Sequence, residues 1–301
     1  GVDRCRAVVT AEGFAQQTVE LASPARIELA VAGRRERVVV SATRHETGLE
    51  QAGVATTVIG RESLERRGYP PVSEALREVP GLAVARYGRA GSLTQVFARG
   101  AQRTGTLVLL DGVPLNDPGG ELNLAPLESS ALERIEVVRA PESALFGAEA
   151  AAGVVQLFTR RGEAENRRPR GALSYERGSF SRDRWTANLS GGSGRRLDYS
   201  LTAEQFHTVG EFPNDAYRNT SGAANVGLRL SPATEVRAIY RGADSWLGVP
   251  NQVGYGIYDL DANQASRSST LALRLDDRCG ANFAQRFLFG YHRLRDLYVD
   301  S

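Results

Sequence analysis

The sequence predicts an α+β domain followed by antiparallel transmembrane β-barrel strands. Between residues 54 and 161, short β-rich runs alternate with short helical turns. Beyond Gly162 the helix signals end, and apolar and polar residues alternate with a period of two. The connections after Gly162 alternate between tight turns and long polar loops, as they do at the two rims of an outer-membrane barrel. A short β-sandwich remnant is predicted at the N-terminus.

The composition bears on two classes of protein. The 301 residues include 37 basic residues, all of them Arg, against 35 acidic ones, and the net charge of +2 gives no reason to expect a nucleic-acid partner. No stretch approaches the roughly 18 apolar residues that a membrane-spanning helix needs, so a helical membrane protein is excluded. Cys5 and Cys279 lie far apart and indicate neither a zinc site nor a disulfide scaffold. Because the chain begins at Gly1, lacks Met and ends at Ser301 in a strand-like run, we expect a fragment.

The first residues predict the last hairpin of a small β-sandwich. Two β-rich runs lie around a Pro-containing turn between Val8 and Val31. After a basic stretch at 33–37, the run VVVSATR at 38–44 joins β-branched residues to polar neighbours. We therefore expect residues 38–44 to be extended and outside a core.

Gly and Pro divide the α+β domain into its elements. The run at 61–68 predicts helical turns closed by Gly68, and the helix that begins near residue 72 stops at Pro80. Asp111-Gly112 follows an apolar strand and predicts a tight turn. Strands are predicted in the runs VATTVI, LAVARY, TQVFARG, TLVLLDGVPLND, ALERIEVVRAP and GVVQLFTRRG. About 100 residues are enough for an independent core.

The period-two region fits either a soluble sandwich or a membrane barrel. In the first case the alternation separates core from water, and in the second it separates lipid from a polar lumen. The polar side carries charges within strands, which a dry core would not tolerate, at Asp198, Glu204, Arg229, Arg237 and Arg274. Tight turns are predicted at 192–196, 231–234 and 276–280, and long loops at 210–221 and 246–267. The charges and the loop pattern favour the barrel.

Five motifs in order resemble those of TonB-dependent outer-membrane receptors, over roughly residues 36–301. They are VVVSATR at 38–44, LREVPGLAV at 76–84, VFARG at 96–100, VLLDGVPLND at 108–117 and IEVVRAPESALFGAEAAAGVVQLFT at 135–159. Conservative departures from the family pattern include Ala140 in place of Gly and Phe146 in place of Tyr. The run EFPNDAYRNT at 211–220 is similar to a ligand-side loop of cobalamin-transporter-like members.

The resemblance implies four segments and a function. These are a carboxypeptidase-regulatory-like remnant at 1–35, a TonB-box-like segment at 36–44, a plug domain at 45–161, and the first seven or so barrel strands at 162–301. Closing a barrel around a plug takes about 22 strands, so we expect an incomplete barrel. The implied protein lies among lipid in the Gram-negative outer membrane and needs no cofactor. It binds a scarce bulky extracellular ligand, cobalamin or a ferric siderophore, and imports it with energy from a TonB-type transducer.

Two sets of residues carry the implied partner and plug contacts. Val38, Val39, Val40, Ser41 and Ala42 resemble a TonB box, which the transducer adds as a strand to its own sheet. An ordinary first plug strand would use the same residues. Arg99 and Arg139 are implied to latch the plug to acidic residues of the barrel wall. We expect both to be exposed and underpaired in this chain, and two solvated arginines are the alternative.

Four polar residues are candidates for the ligand side. Asn116 and Asp117 lie in a loop that would reach the plug apex, and Asn214 and Asp215 lie in the 211–220 run. Asn214, Asp215 and Asn219 offer oxygen ligands suited to calcium, but three donors are too few to specify a site. A solvated loop is the alternative.

The sequence does not indicate an enzyme. Its 3 histidines fall in unrelated segments, and it contains no HExxH, GxSxG or GxxxxGK motif. Two other functions stay open: an outer-membrane signalling receptor of the same architecture, and a soluble β-rich binding protein.

Overall fold

The structure is a computed structural model in which the chain forms two compact units, Gly1–Val38 and Val39–Ser301. In the first unit, β1 (Cys5–Val9) pairs antiparallel with β2 (Gln17–Leu21). The predicted Pro-containing turn, at Pro24, lies outside the described residues. The residues that the structure describes are 5–9, 17–21, 38–39, 47–48, 55–66, 68, 71–194, 196–250, 255–256, 259–280 and 283–300.

The second unit begins with the predicted α+β domain. Its central five-stranded sheet has the order β5-β10-β11-β8-β9, in which only β8 and β11 run parallel. These strands are β5 (Thr56–Gly60), β8 (Thr106–Leu110), β9 (Val113–Pro114), β10 (Leu132–Val138) and β11 (Gly153–Thr159). Two-stranded sheets pair β3 (Val38–Val39) with β4 (Thr47–Gly48) and β6 (Leu82–Arg86) with β7 (Thr94–Ala98). The helices are α1 (Arg61–Arg66), α2 (Val72–Arg77) and α3 (Ser143–Phe146), and a 3-10 turn spans Ala148–Ala150.

Both faces of the central sheet are buried. Val108 and Leu110 pack with α2 on one face, and Leu107 and Leu109 pack with Val154 on the other. A strand that is covered on both sides needs a continuous apolar run, as in TLVLL. The predicted tight turn follows directly, because β8 turns into β9 through Asp111-Gly112, with φ of 47° and 91°.

The remaining strands form one antiparallel sheet in which each strand pairs with the next. They are β12 (Arg170–Gly178), β13 (Arg182–Ser193), β14 (Leu197–Thr208), β15 (Tyr217–Arg229), β16 (Thr234–Gly248), β17 (Asn263–Cys279) and β18 (Phe283–Val299). Within the described residues β12 and β18 are the free edges, so the sheet does not close into a barrel. This confirms the predicted fold class of an α+β domain followed by part of a barrel.

The loop boundaries differ from the prediction. The connections on one rim are all short, at 194–196, 230–233 and 280–282. The other rim has one short connection, at 179–181, and two longer ones, at 209–216 and 249–262. The predicted loop at 210–221 is therefore too long, because β15 begins at Tyr217. The loop predicted at 246–267 is also too long, because β16 ends at Gly248 and β17 begins at Asn263.

The two faces of the seven-stranded sheet differ in polarity. In β14, Thr202, Glu204 and Phe206 are buried, whereas Leu201 and Ala203 are exposed. The mostly polar face lies against the α+β domain, and the opposite face exposes apolar and aromatic side chains, among them Leu173, Trp185, Tyr240, Leu273 and Phe287. No helix in the described part of the chain is long and apolar enough to cross a membrane.

Candidate functional site

A buried polar group joins the α+β domain to the seven-stranded sheet at Glu128. One carboxylate oxygen of Glu128 accepts a hydrogen bond of 3.1 Å from Arg184 Nη1, and the other accepts one of 3.2 Å from Asn219 Nδ2. Arg184 also pairs with Glu204 on the neighbouring strand. All four residues are buried. We call these residues, together with Arg241, the Glu128 cluster.

Arg241 adds a second guanidinium to the Glu128 cluster. Its Nη2 donates a 2.6 Å hydrogen bond to the carbonyl of Pro126, which also accepts a 3.4 Å bond from Asn219 Nδ2. Burial raises the pKa of the Glu128 carboxyl, while Arg184, the Asn219 hydrogen bond and Arg241 act in the opposite direction. Two carboxylates and two guanidinium groups balance in charge, which is the condition under which buried ions are tolerated.

A second chain of hydrogen bonds crosses the same interface nearer the short-turn rim. The Thr159 hydroxyl donates to Asp111 at 2.7 Å and accepts from Asn225 Nδ2 at 2.8 Å. Asn225 Oδ1 accepts a 2.6 Å bond from Arg237 Nη1. Arg237 binds both oxygens of Asp198, at 2.9 and 2.8 Å. These five residues, the Arg237 cluster, connect the last strand of the α+β domain to three strands of the sheet.

A cavity of about 740 Å³ lies between the two parts at the rim with the longer loops. Residues 88–91 of the 87–93 loop, between β6 and β7, form one wall together with Glu74 and Glu128, and the ends of β13, β14 and β15 form the other. Arg89 connects this 87–93 loop to the 209–216 loop. It pairs with Glu211, lies 3.6 Å from an Asp215 carboxylate oxygen, and stacks with its Cζ 4.4 Å from the centre of the Phe212 ring.

The 87–93 loop approaches the sheet most closely at Gly91. Its φ is +85°, and a Cβ at this position would collide with the ring of Tyr217. We expect Gly91→Ala to displace the loop and raise proteolysis within 87–93, because the side chain clashes and the left-handed backbone is strained. Gly100→Ala is the matched control, since Gly100 has a φ of +70° and no atom within 4 Å of a built Cβ. Equal protease sensitivity of the two variants would contradict the close contact.

The α+β domain matches the model of a known protein family. Residues 49–154 match the family model described as TonB-dependent Receptor Plug Domain. This region is similar to the plug domain of TonB-dependent receptors, and we refer to it as the plug. The seven-stranded sheet matches the barrels of solved receptors that contain such a plug.

Solved structures share this fold at low sequence identity. The alcaligin outer membrane receptor FauA of Bordetella pertussis has a TM-score of 0.71 and 17% identity, with coverage of 87% of this chain and 43% of that one. The ferripyoverdine receptor of Pseudomonas aeruginosa has a TM-score of 0.73 and 15% identity, with coverage of 88% of this chain and 38% of that one. The siderophore receptor PirA of Acinetobacter baumannii has a TM-score of 0.65 and 19% identity, with coverage of 80% of this chain and 40% of that one. The chain thus spans less than half the length of these proteins.

The predicted TonB-box-like residues lie only partly within the described structure. Val38 and Val39 form β3, which pairs with β4. Val40, Ser41 and Ala42 lie outside the described residues. The contact with a transducer stays a prediction.

Arg99 and Arg139 have different surroundings. Arg99 is exposed, with a φ of 52°. Arg139 is half-buried and not exposed as predicted. Its Nη1 donates a 2.6 Å bond to the carbonyl of Pro80, whereas its Nε has no hydrogen-bond partner among the described residues, in line with the predicted underpairing. The end of β10 lies beside the turn at Gly81, where the Arg139 side chain packs. The role of the two arginines as latches stays a prediction.

The two plug candidates for ligand contact differ in availability. Asn116 Oδ1 accepts from the Val108 amide at 2.7 Å, and its Nδ2 donates to the carbonyls of Thr106 and Gly120 at 3.1 and 2.9 Å. The Asn116 side chain is therefore used within the plug. Asp117 is half-buried and faces β18; burial and the Asp296 carboxylate raise its pKa.

The loop candidates do not form one calcium site. Asn214 Nδ2 donates to the carbonyl of Ala262 at 2.7 Å, which ties the 209–216 loop to the 249–262 loop, whereas Asp215 is buried beside Arg89. Asn219 lies within β15 and belongs to the Glu128 cluster. Among the described residues, a different set of carboxylates has oxygen atoms within 4.8 Å of one another, those of Asp259, Asp261 and Asp300.

Proposed function

We propose that this chain is part of an outer-membrane receptor that imports a scarce, bulky extracellular ligand with energy from a TonB-type transducer. The main support is a plug domain that lies against the polar face of a barrel-type sheet whose opposite face is apolar and exposed. An apolar outer face suits lipid and would be unfavourable in a soluble β-rich binding protein. The proposed protein is a receptor and not an enzyme.

The proposed ligand is cobalamin or a ferric siderophore. The names of the alcaligin, ferripyoverdine and PirA receptors favour a siderophore. The cavity between the plug and the barrel wall offers space for part of such a ligand.

The proposed transducer contact is residues 38–42, and Val40→Pro in the complete protein tests it. Proline removes a backbone donor and disfavours pairing as an added strand. We expect energised uptake to fall to background while ligand binding at the cell surface persists. Val40→Ile is the control, because strand addition depends on the backbone and this change preserves β-propensity. Unchanged uptake by the proline variant would show that the segment is an ordinary plug strand.

A signalling receptor of the same architecture is the second candidate. The observation that favours it is the separate N-terminal unit, which contains the β1–β2 hairpin. Deleting residues 1–35 from the complete protein should then abolish ligand-induced transcription and leave uptake intact. Unaltered transcription in the deletion variant would exclude a signalling role for this unit.

A further inference from the structure

We propose that the cavity between the 87–93 loop and strands β13–β15 binds an anionic group of the ligand, through Arg182 and Tyr217. The inference rests on the proposed receptor function and adds to it the charge class of the ligand.

Every carboxylate that lines the cavity is already paired with an arginine. Glu74 lies 3.5 Å from Arg86, and Glu128 lies 3.1 Å from Arg184. Glu211 and Asp215 both pair with Arg89, as described above. A cationic ligand would therefore have to displace an arginine to reach a carboxylate.

Four arginines and four carboxylates line the cavity, and the ion pairs among them use three of the arginines, because Arg89 pairs with two carboxylates. Arg86, Arg89 and Arg184 form the pairs just described. Arg182 lines the same cavity and forms no ion pair with any residue that the structure describes. Its guanidinium instead lies with its Cζ 5.2 Å from the centre of the Phe206 ring. Arg182 is thus a positive charge that is available to a ligand.

Tyr217 supplies a second free donor beside the same aromatic ring. The residue is only 4% exposed, and its hydroxyl has no hydrogen-bond partner in the described part of the chain. A buried hydroxyl without a partner is unfavourable, so such groups in native proteins call for an explanation. The Tyr217 and Phe206 ring centres are 5.8 Å apart. Phe206 therefore brings the Arg182 guanidinium and the Tyr217 ring to the same part of the cavity wall.

An anionic oxygen fits these two groups better than a neutral or cationic one. It would accept a charge-assisted hydrogen bond from the guanidinium and a further bond from the phenol hydroxyl. It would also give the Tyr217 hydroxyl the partner that it lacks. The ligand would then carry carboxylate, catecholate or phosphate oxygens on the part that enters the cavity.

The test uses the complete protein and four probes of different charge. These are a ferric tris-catecholate and ferric citrate, which are anionic, a cationic ferric trihydroxamate, and uncharged cyanocobalamin. Binding is measured for the natural protein, Arg182→Gln and Tyr217→Phe. Arg177→Gln is the matched control, because Arg177 is an exposed arginine of β12 that does not line the cavity. A heat-modifiable folded band checks that each variant folds, and Tyr217→Phe keeps the ring that packs against Gly91.

We expect at least one anionic probe to bind, with affinity reduced about tenfold to a hundredfold by Arg182→Gln and less by Tyr217→Phe. Arg177→Gln should leave the affinity unchanged. If only the neutral or the cationic probe bound, the inference would be overturned and the proposed receptor function would stand. The same conclusion would follow if an anionic probe bound with an affinity that neither Arg182→Gln nor Tyr217→Phe changed. Failure to bind or take up any of the four probes would overturn the proposed function together with the inference.

Discussion

Replacing Glu128 by Ala is expected to loosen the plug inside a barrel that stays folded. Arg184 would keep Glu204 as its counterion, but Arg241 would retain only uncharged partners, the carbonyl of Pro126 and the hydroxyl of Ser268. Removing one partner from a buried ion cluster leaves an uncompensated charge and typically costs about 3–5 kcal/mol. The cost falls on the docked state of the plug, because an undocked plug would return these groups to water.

The measurement is hydrogen exchange of plug peptides in the complete protein, together with leakage of a large antibiotic through the outer membrane. Exchange over residues 123–131 should accelerate, and leakage should rise. Glu128→Gln separates charge from shape, because an amide can still accept the hydrogen bond from Asn219 but no longer balances the arginines. We expect its effect to lie between those of the natural protein and Glu128→Ala.

The control for this experiment is Glu62→Ala. Glu62 lies on α1 of the same plug with 81% of its side chain exposed, and its contact with Arg66 is 3.7 Å long. Exposed pairs of this kind contribute at most about 1 kcal/mol. If Glu128→Ala and Glu62→Ala gave the same exchange and leakage, the Glu128 cluster would not hold the plug in place.

The barrel half of these clusters could be predicted from the sequence, whereas the plug half could not. The period-two alternation placed Asp198, Glu204 and Arg237 on the lumen side of their strands, and the structure pairs all three with charged partners. Glu128 gave no such signal, because it lies in an irregular loop outside any periodic run. Its importance comes from Arg184 and other residues distant in sequence.

The same physics explains the misplaced loop boundary. Strand β15 begins at Tyr217, and Asn219 is 1% exposed. Polar residues in a strand that faces a polar lumen have the composition of a loop, so the sequence pattern assigns the start of β15 to the loop before it. Asn219 thus appeared as a calcium candidate although it binds Glu128.

Replacing Arg237 by Ala is expected to destabilise the barrel wall itself. Arg237 is 2% exposed and is the bidentate partner of Asp198, which is 9% exposed. Without the guanidinium, Asp198 would stay buried with no counterion, at a cost of about 3–5 kcal/mol. The temperature at which the folded band of the complete protein converts to the unfolded one should fall. Arg293→Ala is the control, because Arg293 is an exposed arginine on the outward face of β18.

We also expect the destabilisation caused by Arg237→Ala to reach the plug through Asn225. Arg237 orients the Asn225 amide, whose Nδ2 then donates to Thr159 on the last plug strand. Asn225→Ala should loosen the plug end at residues 153–159 with a smaller effect on the barrel, since it leaves the Arg237–Asp198 pair intact. Residues joined in one network are not additive, so the double variant should accelerate exchange at 153–159 by less than the sum of the two single effects. Strict additivity there would show that Arg237 stabilises the barrel alone and that Asn225 holds the plug without it.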